Sequence, residues 1–361
     1  MEKYRVGIVG ATGMVGQRFI SLLQDHPWFE VNCVAASARS AGKTYREAVG
    51  ERWAFAWEIP EKVAGMTVVD AADIDEVSKH VDFVFCAVDM KKDEIRALEE
   101  AYAKHEIPVV SNNSACRGIE DVPMVVPEIN ADHLAVIEAQ KKRLGTKNGF
   151  IAVKPNCSIQ SYVPALTPLL DFEPKKVSVC TYQAISGAGK TFKTWPEMVD
   201  NVIPYIGGED EKSENEPLKL WGHVEDGKIV NAALPVISAQ CLRVACSDGH
   251  MAAVSVSFKK KPTIEQIKER WANYETEAQR LELPSAPKPF LQYFEAPSRP
   301  QTRLDRDFQN GFGVSIGRLR EDKLFDYRFV CLSHNTVRGA AGGGILTAEL
   351  LCRKGYIPHR V

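Results

Sequence analysis

Residues 4–16 read Tyr4-Arg5-Val6-Gly7-Ile8-Val9-Gly10-Ala11-Thr12-Gly13-Met14-Val15-Gly16, a β-branched run that breaks into spaced glycines and continues with helical period. Glycines at 10, 13 and 16 permit a tight turn, close approach of backbone N–H groups to a pyrophosphate, and close packing of the following helix. A lone glycine pattern is weak, but strand, glycine turn and helix in that order predict a dinucleotide-binding turn.

The pattern repeats outward from this stretch. Apolar runs at Phe29–Ala36, Met66–Asp70, Asp82–Val88, Ile107–Ser111 and Phe150–Lys154 alternate with segments of helical period at Met14–Leu23, Lys92–Ala103 and Ala131–Lys142. Alternation of this kind predicts an α/β fold whose N-terminal part is a Rossmann-like, doubly wound parallel sheet. From about Lys175 the runs lengthen and alternate, at Val177–Gln183, Ser238–Ser247, His250–Lys259, Gly313–Arg318 and Arg328–Leu332. That is the habit of an α+β catalytic and dimerisation domain with a mixed sheet. A last helical stretch, Ile345–Cys352, is expected to return to the first domain. The expected division is 1–156 for cofactor, completed by 335–361, and 157–334 for catalysis and dimerisation. Leu283–Arg303, with five prolines, reads as a loop or subunit arm.

Length and composition narrow the function. A chain of 361 residues suggests two domains, and 45% apolar with 25% charged residues is ordinary for a globular protein. A net charge of -2 leaves no basic field for nucleic acid. No apolar run reaches the roughly 20 residues that span a bilayer, and because the sequence runs from Met1 into a strand, no signal peptide is expected. Nine cysteines without paired spacing argue against a disulfide framework and a structural zinc site. A cytoplasmic protein acting on a small molecule, without metal, nucleic acid or membrane, is expected.

The second strand ends in Ala36-Ser37-Ala38-Arg39-Ser40, where an NAD-selective fold usually places an acid against the ribose 2′-hydroxyl. Here Ser37, Arg39 and Ser40 offer donors that suit a 2′-phosphate, which favours NADP. Cys157, in Val153-Lys154-Pro155-Asn156-Cys157-Ser158, ends an apolar run and reads as the start of an amphipathic helix. Unpaired N–H groups and the helix dipole would favour its thiolate and could hold an oxyanion.

Further along, Gln183 precedes the flexible turn Ala184-Ile185-Ser186-Gly187-Ala188-Gly189, and Glu209 and Lys212 stand three apart, as an ion pair on one helix face would. Arg243-Val244-Ala245-Cys246-Ser247-Asp248-Gly249-His250 reads as a hairpin closed by Asp-Gly, with Ser247 opposite His250. Arg243 and His250 then share a face about 13 Å apart. Beside an arginine and a thiol, His250 becomes a candidate general base. The bland readings are a packed cysteine, a surface salt bridge and a polar turn.

In order and spacing these segments, with Ser111-Asn112-Asn113-Ser114-Ala115-Cys116-Arg117, Val126-Pro127-Glu128-Ile129-Asn130 and Ser333-His334-Asn335-Thr336-Val337-Arg338-Gly339-Ala340-Ala341-Gly342, resemble the aspartate-semialdehyde dehydrogenase family over essentially the whole chain. Ser333-His334-Asn335 and Ile203-Pro204-Tyr205-Ile206 resemble its archaeal and fungal branch. The resemblance implies NADPH-dependent reductive dephosphorylation of L-aspartyl 4-phosphate to L-aspartate 4-semialdehyde, in the biosynthesis of lysine, threonine, methionine and isoleucine. It implies Cys157 as nucleophile through a thioester, His250 as acid and base, and Gln183 as orienting group, with Asn156 and the N–H of Cys157 on the oxyanion. For the substrate it implies Arg243 on the carboxylate, Glu209 on the ammonium, and Arg117, Asn156 and Lys212 on the phosphate. For NADP it implies Gly10, Thr12, Gly13, Met14, Val15, Ser37, Arg39, Ser40, Ser186, Gly187 and Asn335. It also implies a homodimer or homotetramer. Cys116 and His334 are expected to pack rather than react. Two rivals are carried: a malonyl-CoA reductase using the same cysteine and NADPH, and a catalytically silent NADP-binding regulator.

Overall fold

The computed structural model describes residues 2–359, so Met1, Arg360 and Val361, included above in the cofactor domain, lie outside the described residues. Six strands, β1 (Tyr4–Val9), β2 (Phe29–Ala36), β3 (Val69–Asp70), β4 (Phe83–Cys86), β5 (Val109–Ser111) and β6 (Ile151–Val153), make one sheet ordered β3-β2-β1-β4-β5-β6. Every pairing in it is parallel. Strands β4 and β5 are buried at every position, as strands covered on both faces must be. The order reverses between β1 and β4, which opens a crevice at the carboxyl ends of the strands.

The chain enters α1 (Met14–Leu23) through the glycine turn at that crevice. Gly10 has φ +91°, and a methyl group there would lie 2.4 Å from the Ala87 carbonyl oxygen, so both conformation and space demand glycine. Phe19, Ile20 and Leu23 bury the inner face of α1, and Phe19 stacks on Phe85 at 4.3 Å. Helix α2 (Lys92–Lys104) matches its expectation to one residue. The expected helix at Ala131–Lys142 is instead a three-ten turn at Ala131–Val136 followed by an α-helix at Ile137–Leu144. Its tight first turn carries tertiary bonds, from Asn130 to the Met124 carbonyl (2.8 Å) and between His133 and the Gly222 carbonyl (3.1 Å).

The second sheet is mixed. Its strands are drawn from β7 (Pro174–Gln183), β8 (Val202–Ile203), β9 (His223–Glu225), β10 (Lys228–Val230), β11 (Val236–Val244), β12 (His250–Phe258), β13 (Leu291–Phe294), β14 (Val314–Glu321) and β15 (Tyr327–Ser333). Seven of these run in the order β13-β14-β15-β12-β7-β11-β8, and β9 with β10 forms a separate hairpin. Val177, Val179, Val254, Val256 and Phe329 face one core with Ile267 and Trp271. Helix α3 (Glu209–Leu220) follows β8 and packs on β11.

Two sequence expectations fail here. Asp248-Gly249 does not close a hairpin: β11 pairs with β7 in parallel, β12 pairs with β7 antiparallel, and β7 therefore separates them. His250 pairs with Ser333, not Ser247. The cause is non-local, because the chain leaving β7 takes the hydrogen bonds of this corner: Ile185 N–H bonds the Cys246 carbonyl at 2.9 Å and Ser186 N–H that of Ser247 at 3.3 Å. The proline-rich stretch Leu283–Arg303 is not wholly a loop, since β13 lies inside it and pairs with β14 in parallel.

The C-terminal helix α4 (Gly342–Arg353) returns to the first sheet, where Ile345, Leu346 and Leu350 join Ile8, Phe19 and Phe83 in one core. Arg338, at its approach, is clamped bidentately by Glu128 at 2.8 and 3.2 Å, with both side chains almost fully buried. A buried pair of this kind tolerates loss of both charges far better than loss of one. Glu128→Ala is expected to lower unfolding free energy by about 3–5 kcal/mol in urea titration, and Glu128→Leu with Arg338→Met to recover most of it. A single-substitution loss below about 1 kcal/mol would contradict the assignment.

Candidate active site

Beyond β6 the chain runs Lys154-Pro155-Asn156-Cys157 into the centre of the molecule. Cys157 does not open a regular helix. A turn leads into a three-ten segment, Ile159–Ser161, a single α-turn, Val163–Leu166, and a second three-ten segment, Thr167–Phe172. Pro164 and Pro168, which lack the N–H a helical ladder needs, account for the interruption.

Half-buried Cys157 faces fully buried His250, with Sγ 3.5 Å from Nε2. The other ring nitrogen, Nδ1, accepts from the Ala184 N–H at 3.1 Å, which puts the proton of the neutral ring on Nε2, toward the sulfur. Burial, and next the charge of Arg243, hold His250 well below its ordinary pKa. Burial, and next the charge of Glu209, push the Cys157 thiol up, with Lys154 the foremost opposing charge, ahead of Arg243 and Arg117. The expectation of a resting thiolate is therefore corrected: the couple rests as neutral thiol and neutral imidazole, because without a regular helix the burial outweighs the local dipole.

Around this couple α3 presents a polar stripe. Glu209 accepts from Asn156 Nδ2 at 2.9 Å, from Gln183 Nε2 at 3.2 Å and from Lys212 Nζ at 2.8 Å. It thereby gathers three residues singled out in the sequence. One of the two Asn156 amide N–H groups is spent in this way, and Asn156 Oδ1 accepts from the Ser158 N–H at 2.8 Å. Two turns on, Glu216 accepts from Arg117 Nη1 at 2.9 Å and from the Asn156 backbone N–H at 2.5 Å. Sequence reasoning missed Glu216, although Glu209, Lys212, Ser213 and Glu216 share the i, i+3, i+4, i+7 spacing of one helix face. It also missed Lys154, which is buried to 3% exposure and lines the same cavity as Cys157.

Arg243 Nη1 donates to the Ala184 carbonyl at 2.7 Å. Although no hairpin joins them, Arg243 and His250 meet beside Gly187: a methyl group on Gly187 would lie 2.7 Å from Arg243 Nη1 and 2.9 Å from His250 Nε2. The cavity, about 220 Å³, is lined by Met14 and Val15 from the glycine turn, by Asn112, Arg117, Lys154, Asn156 and Cys157, by the Ser186–Gly189 turn, and by Asn335. Asn335 accepts from the Gly249 N–H at 2.7 Å and donates to Ser186 Oγ at 2.8 Å, which ties the two turns together.

The crevice suits a dinucleotide. Helix α1 has neither a side-chain cap nor an acid in its first turn, so its N-terminal donors and dipole face outward. Ser37 and Arg39 are exposed past the end of β2, whereas Ser40 is buried with its N–H on the Ser37 carbonyl at 2.8 Å. These three lie apart from the Cys157 cavity. His334 Nδ1 accepts from the Thr336 N–H at 3.3 Å, burial lowers its pKa to about 4, and Cys116 is fully buried with its thiol pushed up by burial. Both pack as expected. Among the described residues no helix is long and apolar enough to cross a membrane, and no cluster of three potential metal ligands occurs.

Alkylation of Cys157 by iodoacetamide, followed by peptide mapping across pH, is expected to reach half its maximal rate above the ordinary thiol value of about 8.5. Glu209→Gln removes the charge that raises the thiol and is expected to move that midpoint down. A plateau already complete at about pH 7 would contradict a neutral resting couple.

The profile described as semialdehyde dehydrogenase, NAD binding domain, matches residues 5–137, and that described as semialdehyde dehydrogenase, dimerisation domain, matches residues 166–338. The chain is 43% identical over 357 residues to the aspartate-semialdehyde dehydrogenase of Archaeoglobus fulgidus, which covers 98% of this chain and 100% of that one. It is 45% identical over 360 residues to the Schizosaccharomyces pombe enzyme of the same name, covering 98% and 99%. A crystal structure of aspartate semialdehyde dehydrogenase with NADP from Candida albicans superposes with a TM-score of 0.89 at 39% identity, over 99% of this chain and 100% of that one. With its fold matched end to end and relatives of this identity spanning nearly its full length, the chain belongs to the aspartate-semialdehyde dehydrogenase family.

Proposed function

We propose that the chain reduces L-aspartyl 4-phosphate to L-aspartate 4-semialdehyde and phosphate with NADPH, and that Cys157 and His250 carry the chemistry. The observation that carries this is the Cys157 thiol, which lines a cavity reaching the N-terminus of α1 and has the buried His250 imidazole 3.5 Å behind it. The names of the relatives, and NADP in the Candida albicans structure, supply substrate and cofactor.

The residues 1–156, completed by 335–361, serve as the cofactor domain, and 157–334 as the catalytic and dimerisation domain. Gly10, Thr12, Gly13, Met14 and Val15 hold the pyrophosphate, Ser37, Arg39 and Ser40 the 2′-phosphate, and Ser186, Gly187 and Asn335 the nicotinamide end. When bound, NADPH supplies a hydride to the acyl carbon. Cys157 attacks the acyl phosphate, the electrons of the broken C–O bond leave with phosphate, which carries off the thiol proton, and a thioester remains with the Nε2–H of His250 directed at its sulfur. After reduction, the Nε2 proton of His250 serves the oxygen of the tetrahedral adduct, whose collapse restores the thiol and releases the aldehyde. Arg243 takes the substrate carboxylate and Glu209 its ammonium, while Arg117, Asn156 and Lys212 bear on the phosphate and Gln183 orients the intermediate.

Glu209 argues against malonyl-CoA, which has no ammonium to meet it, and retention of both Cys157 and His250 argues against a silent regulator. The protein works as a cytoplasmic homodimer, or as a homotetramer built from two such dimers. The outer face of the second sheet exposes apolar side chains at both ends of its central strands, with Tyr182 beside Leu242 and Met251 at one end and Val236 63% exposed at the other. A second copy would cover it. Sedimentation velocity is expected to give a dimer or larger, and a monomer at micromolar concentration would refute this.

The deciding assay is NADP reduction with L-aspartate 4-semialdehyde and phosphate together, alongside malonyl-CoA with NADPH. Phosphate-dependent turnover is expected, with Cys157→Ala abolishing it while NADP binding persists. Activity with malonyl-CoA alone would overturn the substrate. Arg39→Ala is expected to cut the preference for NADP over NAD, as a ratio of kcat/KM values, by about tenfold or more. An unchanged ratio would remove Arg39 from the 2′-phosphate.

A further inference from the structure

The cations near Cys157 differ in how they are paired. Arg117 is held by Glu216 at 2.9 Å, Lys212 by Glu209 at 2.8 Å, and Arg338 by Glu128 at 2.8 Å. Lys154 is 3% exposed, and among the described residues its ammonium bonds only the neighbouring Pro155 carbonyl and no carboxylate. An ammonium has three donors, so two of these are left over in a dry place. The wall it lines carries other unsatisfied groups. Both amide atoms of Asn112 and the Nε of Arg117 are buried without hydrogen-bond partners. Asn112, Arg117, Lys154 and Cys157 all line the one cavity. Unspent donors of this number, beside a nucleophile, describe a seat for an anion.

We propose that Lys154 is a further catalytic residue, whose ammonium binds the phosphoryl oxygens of the acyl phosphate and stabilises the departing phosphate. This rests on the function proposed above. In the step concerned, the Cys157 sulfur forms a bond to the acyl carbon, the bond from that carbon to the bridging oxygen breaks, and its electron pair leaves on phosphate. The thiol proton leaves with the phosphate. Lys154 neither gives nor takes a proton here. It places a positive charge, unshared with any carboxylate, where negative charge accumulates. Burial, and next the charge of Arg117, lower the ammonium of Lys154 to about 7, and an anion seated between the two cations offsets both effects.

The test runs in the oxidative direction, with phosphate, L-aspartate 4-semialdehyde and NADP varied separately. Lys154→Met, close in shape and uncharged, is expected to raise the KM for phosphate by about 10- to 100-fold and to leave the KM for the semialdehyde within about twofold. NADP binding reports whether the variant is folded. If the methionine variant fails that check, Lys154→Gln, which keeps a donor and loses the charge, is expected to give the same selective effect. A phosphate KM within about twofold of wild type in a variant that binds NADP normally would overturn the proposal. Turnover by the unmodified enzyme that ignored phosphate would sink the underlying function, and this is read before any substitution is made.

Discussion

The arrangement depends on β7 lying between β11 and β12. Had the chain turned back at Asp248-Gly249 to pair β12 with β11, His250 would stand beside Ser247 at the rim of a hairpin. Instead the segment leaving β7 occupies that corner. The Ala184 N–H meets His250 Nδ1 at 3.1 Å, and the Ala184 carbonyl meets Arg243 at 2.7 Å. One peptide segment thus orients the histidine through its donor and the arginine through its acceptor. The ring then has its second nitrogen directed at Cys157, and Gly187, two residues past Ile185, leaves no room for a side chain against Arg243 and His250. Strand order in one sheet thereby determines a hydrogen-bond tautomer at the reacting atoms.

The other half of the site hangs on Asn156. Its backbone N–H goes to Glu216 and its amide to Glu209, both from α3, so the residue before Cys157 is pinned at two points by a helix of the second domain. The cofactor crevice belongs to the first sheet, and β6 delivers Cys157 from that sheet into the second. The helix that completes the first core arrives through Arg338, clamped on Glu128. Each domain therefore supplies the other with a segment it cannot do without.

What was legible in the sequence was local. Strand β1, strand β2 and α1 were readable to the residue, because apolar period and spaced glycines are properties of contiguous chain. The dipeptide Asp-Gly shows the limit. At Asp226-Gly227, with φ of 48° and 76°, it does close the hairpin β9–β10, which the sequence reading passed over. At Asp248-Gly249, singled out as a hairpin, it does not. Both turns have the right chemistry, but only the first has partner strands free to pair. Cys157, His250, Glu209 and Arg243 were legible as reactive types, and their convergence came through family spacing. Glu216 shares a helix face with Glu209 and was passed over, whereas Lys154 stayed hidden because a buried charge announces itself through its neighbours in space, not in sequence.

Those neighbours also decide the electrostatics. A thiolate and an imidazolium are each costly in so dry a place, and the folded site avoids both by leaving the proton on sulfur. The carboxylates are mostly committed: Glu209 to Lys212 and two amides, Glu216 to Arg117 and a peptide N–H. Among the described residues, Arg243 and Lys154 bond carbonyls and no carboxylate. A substrate that brings one carboxylate and one phosphate carries the charges that complete the set. Ionisation of Cys157 is then best understood as a property of the complex: the field is built in advance, and the anions that balance it arrive with the group to be attacked.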